Sequence, residues 1–172
     1  MPVLPLRHLP DPVLRQRTRR IRLNGVSVER FVDDMFETMH DSQGIGLAGP
    51  QVHESIKLFV AGVDDDDIEI SPVVIINPEI TLVGSRVEED WEGCLSIPGI
   101  RARVPRSTDI RVRALDRHGE AISLNASGFP ARVIQHEADH LDGVLFFDRM
   151  NTFDSLTFLE EYSRYWAKTQ KE

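Results

Sequence analysis

The sequence has one cysteine, Cys94, and a single thiol cannot close an intramolecular disulfide. A disulfide-stapled secreted scaffold is therefore excluded. Long apolar runs are also missing. The longest, such as Val73 to Ile76, suit a buried strand and fall far short of the roughly 18 residues of a membrane span. Aromatic residues are sparse at 7%, and positive charge is in deficit, with 20 Lys and Arg against 28 Asp and Glu. A net charge of −8 repels phosphate, so DNA is not an expected partner. The arginines between Arg15 and Arg22 read as a solvated stretch. The first residues contain no long apolar segment and no small-residue cleavage site, so the cytosol is the default address, with an organelle left open. No exposed apolar stripe stands out, and a monomer is expected.

What is present is an ordinary globular composition, 41% hydrophobic and 28% charged, over 172 residues. That length predicts one domain, 1–172, with a core large enough to fold unaided. Apolar residues at Val28, Phe31, Val32, Met35, Phe36 and Met39 predict a helix over Ser27 to His40, capped by Ser27. A glycine-rich loop follows, from Gly44 to Gln51. Strands are predicted at Lys57 to Val63, at Val73 to Val83 with a break at Asn77-Pro78, and at Ile110 to Ala114. Asp64 to Asp67 lacks the glycine and terminal glutamate of a calcium loop and reads as a turn. A second helix should run from Phe129 to Leu141, with Pro130 in its first turn and Asp142-Gly143 ending it. A third should span Phe153 to Trp166. The class is α+β: antiparallel sheets packed around a central helix, with one helix towards each terminus.

The central helix carries His136-Glu137-Ala138-Asp139-His140, an H-E-x-x-H pattern. Residues four apart stand one turn above each other, so both imidazoles can reach one metal ion. Glu137 is then placed to take a proton from a water on that ion. Two histidines leave a catalytic site one ligand short. No histidine follows His140, which removes the three-histidine protease pattern. Two sources of a third ligand remain. One is Glu160 or Glu161, about twenty residues on, as in a gluzincin-like endopeptidase. The other is Cys94, upstream in Trp91-Glu92-Gly93-Cys94-Leu95-Ser96-Ile97-Pro98-Gly99, where glycine and proline shape the backbone around the thiol more than a structural cysteine needs.

Three stretches together resemble a known family. Gly44-Ile45-Gly46-Leu47-Ala48-Gly49-Pro50-Gln51, Glu92-Gly93-Cys94-Leu95-Ser96 and Gln135-His136-Glu137-Ala138-Asp139-His140 are similar to the three motifs of the peptide deformylases, in the family's order. Leu9 to Arg15 resembles the family's N-terminus, and the resemblance runs from about Leu6 to Met150. It implies removal of the formyl group from the N-terminal formyl-methionine of new polypeptides, releasing formate. It further implies that Cys94, His136 and His140 hold one divalent metal, Fe(II) in most members with Zn, Ni or Co able to replace it. Glu137 becomes the general base, while the Gln51 amide and the Leu95 N–H steady the oxyanion. The substrate lies as an added strand beside Gly46 and Gly93, and its methionine side chain enters a pocket of Ile45, Phe129, Val133 and His136. Glu92 and Arg106 are candidates to pair beneath the metal loop, and Asp139 to orient a ligand. A transient ribosome contact is the other partner implied, although Arg164, Lys168 and Lys171 are offset by Glu160, Glu161 and Glu172. A third reading is a non-catalytic, metal-bound module that binds peptides or the ribosome. Such a module needs neither a general base nor an oxyanion donor, yet Glu137 and Gln51 are both present.

Overall fold

The computed structural model describes residues 2–23, 27–62 and 70–167. The predicted turn at Asp64 to Asp67, Val63, and the C-terminal charges Lys168, Lys171 and Glu172 lie outside the described residues. Among the described residues, eight strands form two antiparallel sheets. β1 (Gly46–Ala48), β2 (Leu58–Ala61), β3 (Val73–Leu82), β6 (Asp109–Leu115) and β7 (Ala121–Ser127) make one sheet, ordered β1-β2-β3-β6-β7. The other contains β4 (Val87–Cys94), β5 (Ile97–Ser107) and β8 (Thr157–Phe158), ordered β4-β5-β8.

Helix α2 (Phe129–Leu141) sits between the sheets, touching β1, β2 and β7 of one and β5 of the other. Its range is the one the sequence predicts. Gly128, at φ 65°, leads the chain into it, and Gly143, at φ 71°, leads the chain out. A side chain at position 143 would put its Cβ 2.5 Å from the Arg15 carbonyl oxygen, so only glycine fits that exit. Ala131, Val133, Ile134 and Leu141 of α2 join Phe59, Ile75, Ile110 and Val112 in one apolar cluster. The polar end of the same helix is tied to β5 through Gln135, whose amide accepts from Ser107 N at 3.2 Å and donates to Ser107 O at 2.8 Å.

Helix α1 (Glu29–Asp41) covers the far side of the five-stranded sheet, burying Val32, Met35 and Met39 against Leu58, Val60, Val74 and Ile76. It starts two residues later than predicted. Val28 is the capping position, and the Ser27 hydroxyl accepts from Glu29 N at 3.3 Å. The predicted third helix is shorter than expected: α3 covers only Leu159–Tyr165, because Thr157 and Phe158 pair with Arg101 and Ile100 of β5 instead. Backbone pairing there outweighs the helical spacing of the apolar residues. None of the described helices is long and apolar enough to cross a membrane.

The break predicted in β3 is a register shift between Ile76 and Glu79. Asn77 sits in the left-handed region at φ 52°, and its amide brackets Ile21, accepting from Ile21 N and donating to Ile21 O, each at 2.9 Å. Asn77→Ala removes both bonds and leaves the strained backbone without its amide. The expected cost is about 2–4 kcal/mol, read as a lower urea midpoint with an unchanged slope. A loss below about 0.5 kcal/mol contradicts this role.

Candidate metal centre and active site

Three elements deliver the polar groups of one cleft. Strand β4 ends at Cys94, where the pairing with β5 shifts from Gly93 opposite Arg101 to Cys94 opposite Ile97. Helix α2 presents His136, Glu137 and His140, and the loop around β1 presents Ile45, Gly46 and Gln51. Cys94 Sγ lies 3.3 Å from His140 Nε2, and one ligand atom from each of Cys94, His136 and His140 lies within 4.8 Å of the others. A tetrahedral ion with bonds of about 2.0–2.3 Å has ligand atoms about 3.3–3.7 Å apart, so this triplet suits a single divalent cation. It is the only such group among the described residues. Neither Glu160 nor Glu161 belongs to it, and Glu161 instead faces Arg164 at 3.3 Å. The gluzincin-like arrangement is not the one this fold builds.

The surroundings favour the thiolate form of Cys94. Burial pushes the Cys94 thiol up, but His140 and His136 beside it outweigh this and hold it well below the usual thiol range. Nδ1 of His136 meets Glu92 Oε2 at 2.8 Å, which leaves Nε2 as the free ring nitrogen to turn towards Cys94 and His140. Glu92 is itself buried. Arg106 grips it with two bonds, at 2.9 and 3.0 Å, and Arg132 adds a third at 2.9 Å. Burial pushes the Glu92 carboxyl up, yet the hydrogen bonds from His136 and Arg106 outweigh it and hold the pKa at about 2. Arg106 continues to Asp139, and Asp139 to Arg149. Asp139 thus acts on this network and makes no bond to either histidine ligand candidate.

Glu137 is buried and its Oε2 has no hydrogen-bond partner, an uncommon state for a carboxylate that lines a cleft. Burial is the largest influence on it and raises its pKa to about 7, where a carboxyl both takes up and gives back protons readily. Its position depends on Gly46: a Cβ there would stand 2.2 Å from Glu137 Oε1. At Gly93 a Cβ would meet nothing closer than 3.5 Å, so the protein's own packing does not demand that glycine. The Gln51 amide accepts from Ala48 N at 2.9 Å, which fixes its orientation. Its Nε2 reaches Ser96 Oγ at 3.2 Å and Cys94 Sγ at 3.6 Å. Leu95, Ile45, Phe129 and Val133 line the same cleft, of about 420 Å³. Phe129 is 43% exposed at its wall, so it serves the cleft and not the helix core.

Residues 3–155 match the family model described as polypeptide deformylase. The chain belongs to the polypeptide deformylase family. The peptide deformylase of Cellvibrio japonicus is 44% identical over 153 residues, 89% of each chain. The solved deformylase of Thermotoga maritima superposes with a TM-score of 0.80 at 38% identity, covering 88% of this chain and all of that one. A deformylase of Acinetobacter baumannii, solved with Met-Ala-Ser bound, gives 0.80 at 33% identity over 87% of this chain and 99% of its own.

Sequence reasoning missed Arg132. An arginine within the otherwise apolar stretch Ala131-Arg132-Val133-Ile134, one turn before His136, was the available signal. The depressed pKa of Glu92 fixes a pH dependence. Its stabilising contribution is present above about pH 4.5 and is lost as pH falls towards 2. Glu92→Gln should therefore cost about 3 kcal/mol at pH 7, with the gap to the wild type closing between pH 4.5 and 2. Denaturant unfolding across that range checks it, and a gap that stays constant with pH contradicts it.

Proposed function

We propose that this chain removes the formyl group from the N-terminal formyl-methionine of nascent polypeptides and releases formate. The observation that carries the reading is the unpartnered Glu137 carboxylate beside the Cys94, His136 and His140 cluster. These three side chains would hold one divalent ion, and a thiolate with two neutral imidazoles leaves the site at net +1. When bound, the ion supplies Lewis acidity that makes a water nucleophilic near neutral pH. The donor set suits Fe(II), with Zn, Ni and Co as substitutes.

Glu137 takes the proton of the attacking water as its oxygen bonds to the formyl carbon. The Gln51 Nε2 and the Leu95 backbone N–H donate to the oxygen that gains charge. Glu137 then returns the proton to the departing amine as the C–N bond breaks, leaving formate and a free N-terminus. Ile45, Phe129, Val133 and His136 surround the methionine side chain, and the backbones at Gly46 and Gly93 pair with an extended peptide. Main-chain pairing holds many sequences alike, which suits a substrate as varied as nascent protein. A metal-bound module without turnover has no use for a buried, partnerless carboxylate or an oriented Gln51.

Anaerobically prepared, Fe(II)-loaded protein should release formate from formyl-Met-Ala-Ser and leave the unformylated peptide intact. Glu137→Ala should keep one metal per chain and lose activity at least about 10³-fold. Cys94→Ala should lose the metal. Peptide-bond cleavage, or full metal content in Cys94→Ala, contradicts the assignment.

A further inference from the structure

The five-stranded sheet ends in a free edge. β7 pairs with β6 in one unbroken register, from Asp109 opposite Ser127 to Leu115 opposite Ala121, and among the described residues no strand lies on its other side. The other sheet edges differ from it: β1 and β4 border the cleft, and β8 is two residues long. Long edges are normally blunted by a charged residue, a proline, a bulge or a covering loop. β7 reads Ala121-Ile122-Ser123-Leu124-Asn125-Ala126-Ser127, with no charge and no proline, and its pairing with β6 has no bulge. Among the described residues, no segment outside the sheet bonds to its backbone.

The phase of the β6–β7 pairing says which groups face outward. Backbone bonds flank the pair at both ends, from Asp116 N to Glu120 O at 2.9 Å and from Gly128 N to Thr108 O at 2.8 Å. In an antiparallel ladder, directly opposed residues exchange bonds at every second position. Both flanking bonds fall in the same phase, so Ile122, Leu124 and Ala126 bond inward to β6. Their side chains join the apolar cluster that α2 shares. The N–H and C=O groups of Ala121, Ser123, Asn125 and Ser127 therefore point away from the sheet, and all four residues are exposed.

We propose that β7 pairs with β7 of a second copy of this chain, antiparallel about a twofold axis at Leu124, so that the two sheets become one. In this register every outward-facing residue is opposed by another: Ala121 by Ser127 of the second copy, and Ser123 by its Asn125. Each opposed pair exchanges two backbone bonds. Moving the axis by one residue leaves at least one outward residue unpaired. The side chains sort in the same register. Leu124 meets its own copy and Ile122 meets Ala126 on the apolar face, while Ser123 meets Asn125 on the wet face. A net charge of −8 makes two copies repel in most orientations, but this strip brings no charge of its own. Glu120, just before it, falls opposite Gly128 of the second copy. The monomer expected from the sequence follows from the lack of an apolar stripe, and an edge made of backbone groups needs no such stripe. A contact one strand wide is small, so the dimer should be weak, dissociating in the micromolar range.

Sedimentation velocity of the metal-loaded, full-length protein across the micromolar range should show a reversible monomer–dimer equilibrium. Ser123→Pro removes an outward N–H that the sheet itself does not use, and proline is tolerated at such an edge position. It should weaken the dimer at least about tenfold while metal content stays unchanged. Amide exchange tests the register without any variant, should that one fail to fold. In the wild type, the amides of Ser123 and Asn125 should be at least about tenfold better protected at high protein concentration than at low. Those of Ile122 and Leu124, bonded within the chain, should be protected at both. A protein that stays monomeric throughout the range overturns the proposal, as does a dimer whose Ser123 and Asn125 amides exchange freely. Protection that arises only on adding an extended peptide, with formyl-Met-Ala-Ser as the probe, assigns the edge to a peptide and likewise overturns self-pairing.

Discussion

The Glu92 carboxylate is buried and accepts hydrogen bonds from Arg106, from Arg132 and from the His136 ring. Removing a charge from water costs several kcal/mol, and only close, multiple partners offset it. Here the partners come from different places: Glu92 from β4, Arg106 from β5, Arg132 and His136 from α2. Satisfying one carboxylate therefore docks the three-stranded sheet onto the central helix. Arg132 strengthens the joint by donating to the carbonyls of Glu88 at 2.7 Å and Val104 at 2.6 Å. The same bond that stabilises Glu92 fixes which nitrogen of His136 faces Cys94. Folding and the candidate metal centre thus share one interaction.

The opposite side of the helix meets a different constraint. β1 must pass close enough to α2 for Gly46 to press on Glu137, and no side chain is tolerated at that crossing. Beyond it the Gln51 side chain is locked by its own loop through Ala48. Helix α2 is consequently held from two sheets while its polar residues converge in the gap. Most of its surface is buried, yet it carries two histidines, two carboxylates and an arginine. Charges tolerated in such a place are paired, or they face the cleft, as Glu137 does.

Much of this was legible in the residues, for reasons that differ by element. Helix α2 was readable to the residue because glycine at both ends, a first-turn proline and H-E-x-x-H agree. The three stretches that carry the family resemblance lie on elements that converge on one cleft. Strands β4, β5 and β7 were not legible. β4 begins Val87-Glu88-Glu89-Asp90, whose side chains are exposed, so it carries no alternating pattern until Trp91 and Glu92. Its strand character comes from pairing with β5, which no local pattern encodes. The C-terminal helix was overextended for a related reason, since β8 borrows its first residues for the sheet. The Arg132 bond to Glu92 and the edge-on packing of Trp91 on Tyr162 depend on contacts between distant segments, 40 and 71 positions apart in the chain.

The central claim is that a thiolate from a strand end and two imidazoles from one helix share a single cation. X-ray absorption at the metal edge of the zinc- or nickel-loaded protein tests it most directly. The account predicts one sulfur donor at about 2.3 Å and two imidazole nitrogens at about 2.0–2.1 Å, with a further light-atom donor from solvent. A spectrum with nitrogen and oxygen donors only would contradict it, because Cys94 would then lie outside the coordination sphere.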